Sequence, residues 1–238
     1  MVHSTHSSHS EIRVADSAIL YGILDLGYVS EEMSRPVTAA LLAGGVGLLQ
    51  LRAKGQDQET IRRVALSLIP LCQAVDVPFI LNDFPALAGE VGADGVHIGQ
   101  DDGSLADARG TFLANRPASC AAVSPLVGRS THSLEQARAA LEEGADYIGF
   151  GPLFPTPTKQ GRPGIGIDDI REMQRDVGSR IPAFCIGGIK RENLGRVIAA
   201  GARRVVIVSD LLTANDPCAA SRDVVAQLIA ECGLRNAD

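Results

Sequence analysis

Three cations and two carboxylates carry the chemical signal of this 238-residue chain. Arg52 and Lys54 stand at the end of "LLQLRAK", Lys159 closes "LFPTPTK", and Asp83 and Asp102 follow the apolar runs in "FILND" and "VHIGQDD". Arg grips a diphosphate through paired hydrogen bonds and Lys as a point charge, so this set suits a polyanionic substrate such as a diphosphate. The competing use of the cations is a solvated or ion-paired rim. Asp83 and Asp102 follow neighbouring apolar runs and can face one mouth, and a few hard oxygen ligands beside phosphates are how Mg2+ is held. The competing use of these acids is helix capping, for which Asp101 is the candidate.

A second anion site is suggested by "CIGGI" and "VIVSD", where Gly187, Gly188 and Ser209 expose backbone N–H groups after two late apolar runs. A monophosphate there and a diphosphate opposite imply two substrates. Other polar residues at run ends are Asp25, Gln50, Asn82, His97, Gln100, Ser130, His132, Thr156 and Thr158. His97 suits either a general base or a hydrogen-bonded core histidine. Cys185 lies inside an apolar run with no neighbouring cation to activate it, which favours a buried, inert thiol over a nucleophile.

The elements that must position these residues can be counted. Four segments share a Gly, a small gap and an apolar run: "GGVGLLQLR" from Gly44, "GADGVHIGQ" from Gly92, "GADYIGFGP" from Gly144 and "GARRVVIVS" from Gly201. Each reads as a helix closed by a left-handed Gly and followed by a buried parallel strand. Their spacing of roughly 50 residues is twice a βα unit, so they are alternate strands. The interleaved strands are "AILYGILD" (18–25), "VPFILND" (77–83), "PLVGRS" (125–130) and "IPAFCIGG" (181–188). Helical spacing of Ile61, Val64, Ala65, Leu68, Ile69 and Cys72, and Ser133 as an N-cap, fill two of the gaps. The expected fold is α/β, a single (β/α)8 TIM barrel over residues 13–238 after a Ser/His-rich tail of residues 1–12. An open doubly wound sheet is disfavoured because no G-x-G-x-x-G follows the first strand.

The net charge of −6 argues against a nucleic-acid partner. Five cysteines without a C-x-x-C pair indicate neither a zinc site nor a disulfide framework. No apolar run approaches the roughly 20 residues needed to span a bilayer, and the start lacks a secretory core, so a cytoplasmic location is expected. His3, His6 and His9 are read as part of the tail and given no function.

Taken together, "QLRAK" (50–54), "LND" (81–83), "GADGVHIGQDD" (92–102), "GRSTHS" (128–133), "GADYIGFGPLFPTPTK" (144–159) and "CIGGI" (185–189) closely resemble the thiamine-phosphate synthase family. The resemblance runs from about residue 18 to 212. It implies a transferase that joins 4-amino-5-hydroxymethyl-2-methylpyrimidine diphosphate to a plain or carboxylated thiazole ethyl phosphate, releasing diphosphate in thiamine biosynthesis. Gln50, Arg52, Lys54, Asn82, Ser130 and Lys159 match the pyrimidine diphosphate ligands of the family. Asp83 and Asp102 match its Mg2+ ligands, and Thr156, Thr158, Gly188, Val208 and Ser209 its thiazole phosphate ligands. Arg52, Lys54, Lys159 and Ser130 are the expected catalytic set. The implied partners are two phosphorylated small molecules, with no nucleic acid or membrane and with homo-oligomerisation left open. A thiazole tautomerase-like paralogue and a non-catalytic thiamine-phosphate-binding protein are the alternatives, and the retained cations and carboxylates favour the synthase.

Overall fold

In the computed structural model, residues 17–118, 124–156 and 163–233 are described. The expected tail, Cys120, Thr158 and Lys159 therefore lie outside the described residues. Eight parallel strands close in chain order: β1 (Leu20–Asp25), β2 (Leu48–Arg52), β3 (Phe79–Asn82), β4 (Gly95–Ile98), β5 (Leu126–Thr131), β6 (Tyr147–Phe150), β7 (Ala183–Ile186) and β8 (Val205–Ile207), with β8 back on β1. Every expected strand is present: β1, β3 and β7 are trimmed by a residue or two at their ends, and β5 is shifted by one, from 125–130 to Leu126–Thr131.

The surrounding helices are α1 (Glu31–Ala43), α2 (Gln58–Gln73), α3 (Pro85–Glu90), α4 (Leu105–Asn115), α5 (Leu134–Glu143), α6 (Ile170–Met173), α7 (Leu194–Ala199), α8 (Ser209–Leu212) and α9 (Pro217–Cys232), with a π-helical turn over Gln174–Gly178 after α6. In α2 the six apolar residues at helical spacing are the buried ones, and Asp57 caps its start by accepting from Thr60 N. Ser133 caps α5 as expected, accepting from Gln136 N. No helix among the described residues is long and apolar enough to cross a membrane.

Strand alternation separates two cores. Residues facing outward, such as Leu49, Leu51, Leu81, Val96, Ile148 and Cys185, pack against the helices in the larger one. Inward-facing Tyr21, Ile23, Leu48, Ile80, Tyr147, Phe184 and Val206 fill the barrel. The interior accommodates Tyr147 because β5 carries a glycine opposite it: a Cβ on Gly128 would lie 2.2 Å from Tyr147 Cζ.

The "GAD" repeat has a structural cause. Asp94 accepts from Phe79 N at 2.8 Å, and Asp146 accepts from Val127 N at 2.9 Å, so each carboxylate satisfies a backbone N–H at or near the start of the preceding strand. Gly92, Gly144 and Gly201 take the expected positive φ of 72°, 91° and 111°. Gly44 does not: its φ is −83°, and Gly45 at 92° makes the turn instead. Gly44 is needed for close packing, since a Cβ there would meet Ser221 Cβ of α9 at 2.5 Å.

Candidate active site

The C-terminal ends of the strands surround a cavity of about 290 Å3. From the first half of the barrel it is lined by Gln50, Arg52, Lys54, Asn82, Asp83 and Asp102, and from the second by Ser130, Thr156, Gly188, Val208 and Ser209. Every expected site residue among the described ones therefore opens onto one space.

Arg52 is anchored from below. Its Nη1 donates to Asp25 Oδ2 at 2.5 Å, and Asp25, only 2% exposed, also accepts from Gly27 N. Lys54 Nζ lies 3.5 Å from Asp83 Oδ2 at a more exposed position. The two described rim cations are thus ion-paired, Arg52 with Asp25 and Lys54 with Asp83.

Asp83 adopts a left-handed φ of 67°, uncommon for a residue with a side chain, and its N–H donates to His97 O. Burial raises its carboxyl pKa, Lys54 opposes that rise, and the neighbouring Asp102 charge adds to it. Two acids that repel across a half-buried mouth fit a hard divalent cation, which would relieve the repulsion. Among the described residues no cluster of three or more His, Cys, Asp or Glu groups could hold a metal. Asp83 and Asp102 make a two-carboxylate donor set, one that Mg2+ would complete with water and phosphate oxygens.

The capping role expected for Asp101 falls elsewhere. Ser104 caps α4, accepting from Asp107 N, and it is Asp102 Oδ2 that takes a local backbone donor, Gly99 N at 2.7 Å. Two acceptor oxygens allow Asp102 to brace its loop through Oδ2 and still present Oδ1. Behind this loop, buried Arg129 donates to Gly99 O and Gly103 O and pairs with both oxygens of Glu143.

On the opposite side, the loops after β6 and β7 interlock. Leu153 N and Phe154 N donate to Ile186 O and Gly187 O. Gly188, at φ 65°, lies so close that a Cβ would be 2.7 Å from Phe154 Cβ. Asn193 closes the β7 loop on itself, donating to Gly188 O and accepting from Lys190 N, while Asp210 of α8 accepts from Arg191. Pro152 and Pro155 thus stiffen a backbone that is cross-linked to the glycine turn, and Thr156 and Gly188 both line the cavity wall.

The family model for thiamine monophosphate synthase matches residues 20–211. The chain belongs to the thiamine monophosphate synthase family. The thiamine-phosphate synthase of Thermus thermophilus is 44% identical over 185 residues, 78% of this chain and 84% of the relative. That of Mycolicibacterium vanbaalenii is 40% identical over 230 residues, covering 92% and 98%. A solved thiamine phosphate pyrophosphorylase from Pyrococcus furiosus superposes with a TM-score of 0.76 at 27% identity, over 92% of this chain and 98% of that one. Membership makes the chain an enzyme of the transferase class.

Against the family background, the cavity contains residues that sequence reasoning missed. These are Tyr21 and Lys190; His97 and His132, noted at the ends of apolar runs, also line it. Tyr21 reads from sequence as plain core, and Lys190 lies two residues past the glycine pair that drew attention. His97 is resolved in favour of a hydrogen-bonded position: its Nδ1 is 3.2 Å from Tyr147 Oη and its Nε2 is 3.0 Å from Ser130 Oγ. His132 Nδ1 bonds Gly151 O, and Gln100 donates to Ser130 O. Cys185 is fully buried, and burial pushes its thiol up to about 12, which removes it from nucleophilic roles near neutral pH.

Proposed function

We propose that the chain transfers the pyrimidinylmethyl group of 4-amino-5-hydroxymethyl-2-methylpyrimidine diphosphate to the ring nitrogen of a plain or carboxylated thiazole ethyl phosphate. The products are thiamine phosphate and diphosphate, a step of thiamine biosynthesis. The observation that carries this reading is the single cavity onto which all the described members of both expected ligand sets open.

The carbon under attack is primary and its leaving group is a diphosphate, while the thiazole nitrogen is a weak nucleophile. Departure of the diphosphate is therefore the step that needs help, and the aminopyrimidine can bear the positive charge left behind. Arg52 and Lys54 stabilise the charge developing on the leaving oxygen, with Lys159 in the same expected role outside the described residues. The salt link to Asp25 fixes Arg52 in advance, so little reorganisation accompanies the reaction. Mg2+, held by Asp83 and Asp102, would neutralise diphosphate oxygens when bound. Gln50, Asn82 and Ser130 orient the pyrimidine, while Thr156, Gly188, Val208 and Ser209, with Thr158 outside the described residues, seat the thiazole phosphate. The chemistry asks for no covalent enzyme intermediate, in keeping with the inert Cys185.

The test is to combine both substrates with Mg2+ and follow thiamine phosphate and diphosphate. Equal amounts of the two, lost on chelation, are expected. A folded protein that binds thiazole phosphate and yields neither product overturns the proposal. Asp83→Asn should depress Mg2+-dependent turnover and leave thiazole phosphate affinity nearly unchanged.

A further inference from the structure

Six side chains from six strands form a continuous hydrogen-bonded belt beneath the cavity. Gln50 Nε2 donates to Asn82 Oδ1 at 3.3 Å, and Tyr21 Oη donates to Gln50 Oε1 at 2.7 Å. Tyr21 Oη is 3.1 Å from Tyr147 Oη, which is 3.2 Å from His97 Nδ1, and His97 Nε2 is 3.0 Å from Ser130 Oγ. Both phenols are buried, and burial raises their pKa, so each keeps its one proton near neutral pH.

One proton per phenol sets the direction of the whole belt. Tyr21 gives its proton to the Gln50 carbonyl oxygen, which can only accept. The bond between the two phenols then requires Tyr147 to donate to Tyr21. With its proton so used, Tyr147 can only accept from His97, which places the imidazole proton on Nδ1. With a single ring proton, on Nδ1, His97 presents a lone pair on Nε2, and Ser130 donates to it. The Ser130 hydroxyl consequently turns a lone pair toward the cavity it lines.

We infer that Tyr21, Tyr147 and His97 are positioning residues that hold the Ser130 hydroxyl as a hydrogen-bond acceptor, so that this point of the cavity selects a ligand N–H donor over an oxo or phosphate oxygen. Resting on the synthase reading, the donor is the exocyclic amine of the pyrimidine half. A carbonyl oxygen in its place would oppose a lone pair, a mismatch that a buried polar site penalises strongly. The reverse direction would require the amides of Gln50 and Asn82 to turn over together, with His97 protonated on Nε2 and Ser130 released to donate to a phosphate.

The first measurement is made on the ligand-free chain, by 15N NMR of the His97 ring. A protonated Nδ1 and an unprotonated Nε2 are expected in the native protein; the opposite tautomer overturns the inference. Tyr21→Phe makes the sharper test, because the belt links Tyr21 to His97 through Tyr147. It removes the acceptor that directs the Tyr147 proton away from His97, so both ring resonances should shift toward the Nε2–H form. Unchanged resonances in a folded variant overturn the inference. Should Tyr21→Phe fail to fold, Tyr147→Phe breaks the next link and should yield a mixture of tautomers. The second measurement compares the Kd of the 4-amino pyrimidine diphosphate with that of its 4-oxo analogue. The native preference for the amine should shrink about tenfold in Tyr21→Phe, and an undiminished preference counts against the inference. Absence of the Nδ1–H pattern from the native protein sinks the belt, whereas its presence in a protein that makes no thiamine phosphate sinks the synthase reading alone.

Discussion

Aspartates at the two ends of the barrel have opposite surroundings. Where the strands begin, Asp146 accepts from Val127 N and from Arg109 Nη2, and its side chain is 6% exposed. Asp94 accepts from Phe79 N, but burial outweighs that bond and the Arg116 charge and raises its pKa on balance. Where the strands end, Asp83 sits at a positive φ, its charge disfavoured by burial and by Asp102 and relieved chiefly by an exposed lysine. Asp146 is a carboxylate matched by a guanidinium and a backbone N–H, whereas Asp83 has beside it an exposed lysine and a second acid. An incompletely neutralised carboxylate in a mouth is the kind of group a cation or substrate completes.

The largest expected effect comes from Arg52, which joins a buried charge to the mouth. Arg52→Ala should lower kcat/KM by about 10²–10³-fold, the scale for losing one preorganised donor to a developing oxyanion. It should also destabilise the fold by about 3–5 kcal/mol, because Asp25 would stay buried without its guanidinium. The double variant Arg52→Ala/Asp25→Asn separates the two: chemical denaturation should show most of the stability restored while turnover stays low. Activity that returned with stability would make Arg52 a brace like Asp146.

Asp146→Ala is the converse case. It strips an acceptor from Val127 N and from Arg109, so denaturant midpoints should fall by an amount corresponding to about 1–3 kcal/mol. Its kcat/KM at a temperature where the variant is folded should stay within twofold of the native value, on the order of the ~0.4 kcal/mol such a ratio represents. A substantial drop would mean that the strand starts transmit strain to the mouth.

The braces explain why the barrel was legible before the structure. "GAD" recurs because one short motif closes a helix, satisfies the neighbouring strand and opens the next, so a local signal repeats at the period of the architecture. Arg52, Lys54, Asp83 and Ser130 were legible for a related reason: in a barrel, a polar residue directly after an apolar run has one place to go. Tyr21 and Tyr147 were not, since an aromatic within a buried strand reads as core, and their polar partners lie 29 and 126 residues away across the barrel. Arg129 was hidden by alternation: it faces outward, toward Glu143 and the Asp102 loop, on a strand whose neighbouring Ser130 faces in. Asp101 is not the cap because capping depends on where the helix starts, and Ser104 sets that boundary.

A smaller effect distinguishes charge from fold at Asp83. Its carboxyl pKa is raised in the folded chain, so the native state holds the proton more firmly than the unfolded one. Stability from this group therefore falls as pH climbs from the ordinary carboxylate range through the raised value, and the loss persists above it. Asp83→Asn removes that slope, and Asn tolerates a positive φ, so the variant should be more stable than the native chain by about 0.5–1 kcal/mol at neutral pH. The difference between the two should shrink toward acid pH. A variant less stable at neutral pH would place Asp83 with Asp94 and Asp146, as a carboxylate the fold needs.

The smallest effect is expected at Lys190, which lines the cavity with a side chain 52% exposed and lies 3.4 Å from Glu192. An exposed cation beside an acid of its own loop contributes modestly, and salt screens it over roughly 8–10 Å at moderate ionic strength. Lys190→Ala should raise the KM for thiazole phosphate about two- to fivefold at low salt, a change worth ~0.4–1 kcal/mol. The same comparison in high salt should show almost no difference, because attraction to an approaching phosphate is then screened in both proteins. A penalty that survives salt would mean that the ammonium contacts the bound phosphate out of solvent. Lys190 would then join Arg52 as a group that grips its ligand directly, and the exposed part of the mouth would begin further out than this residue.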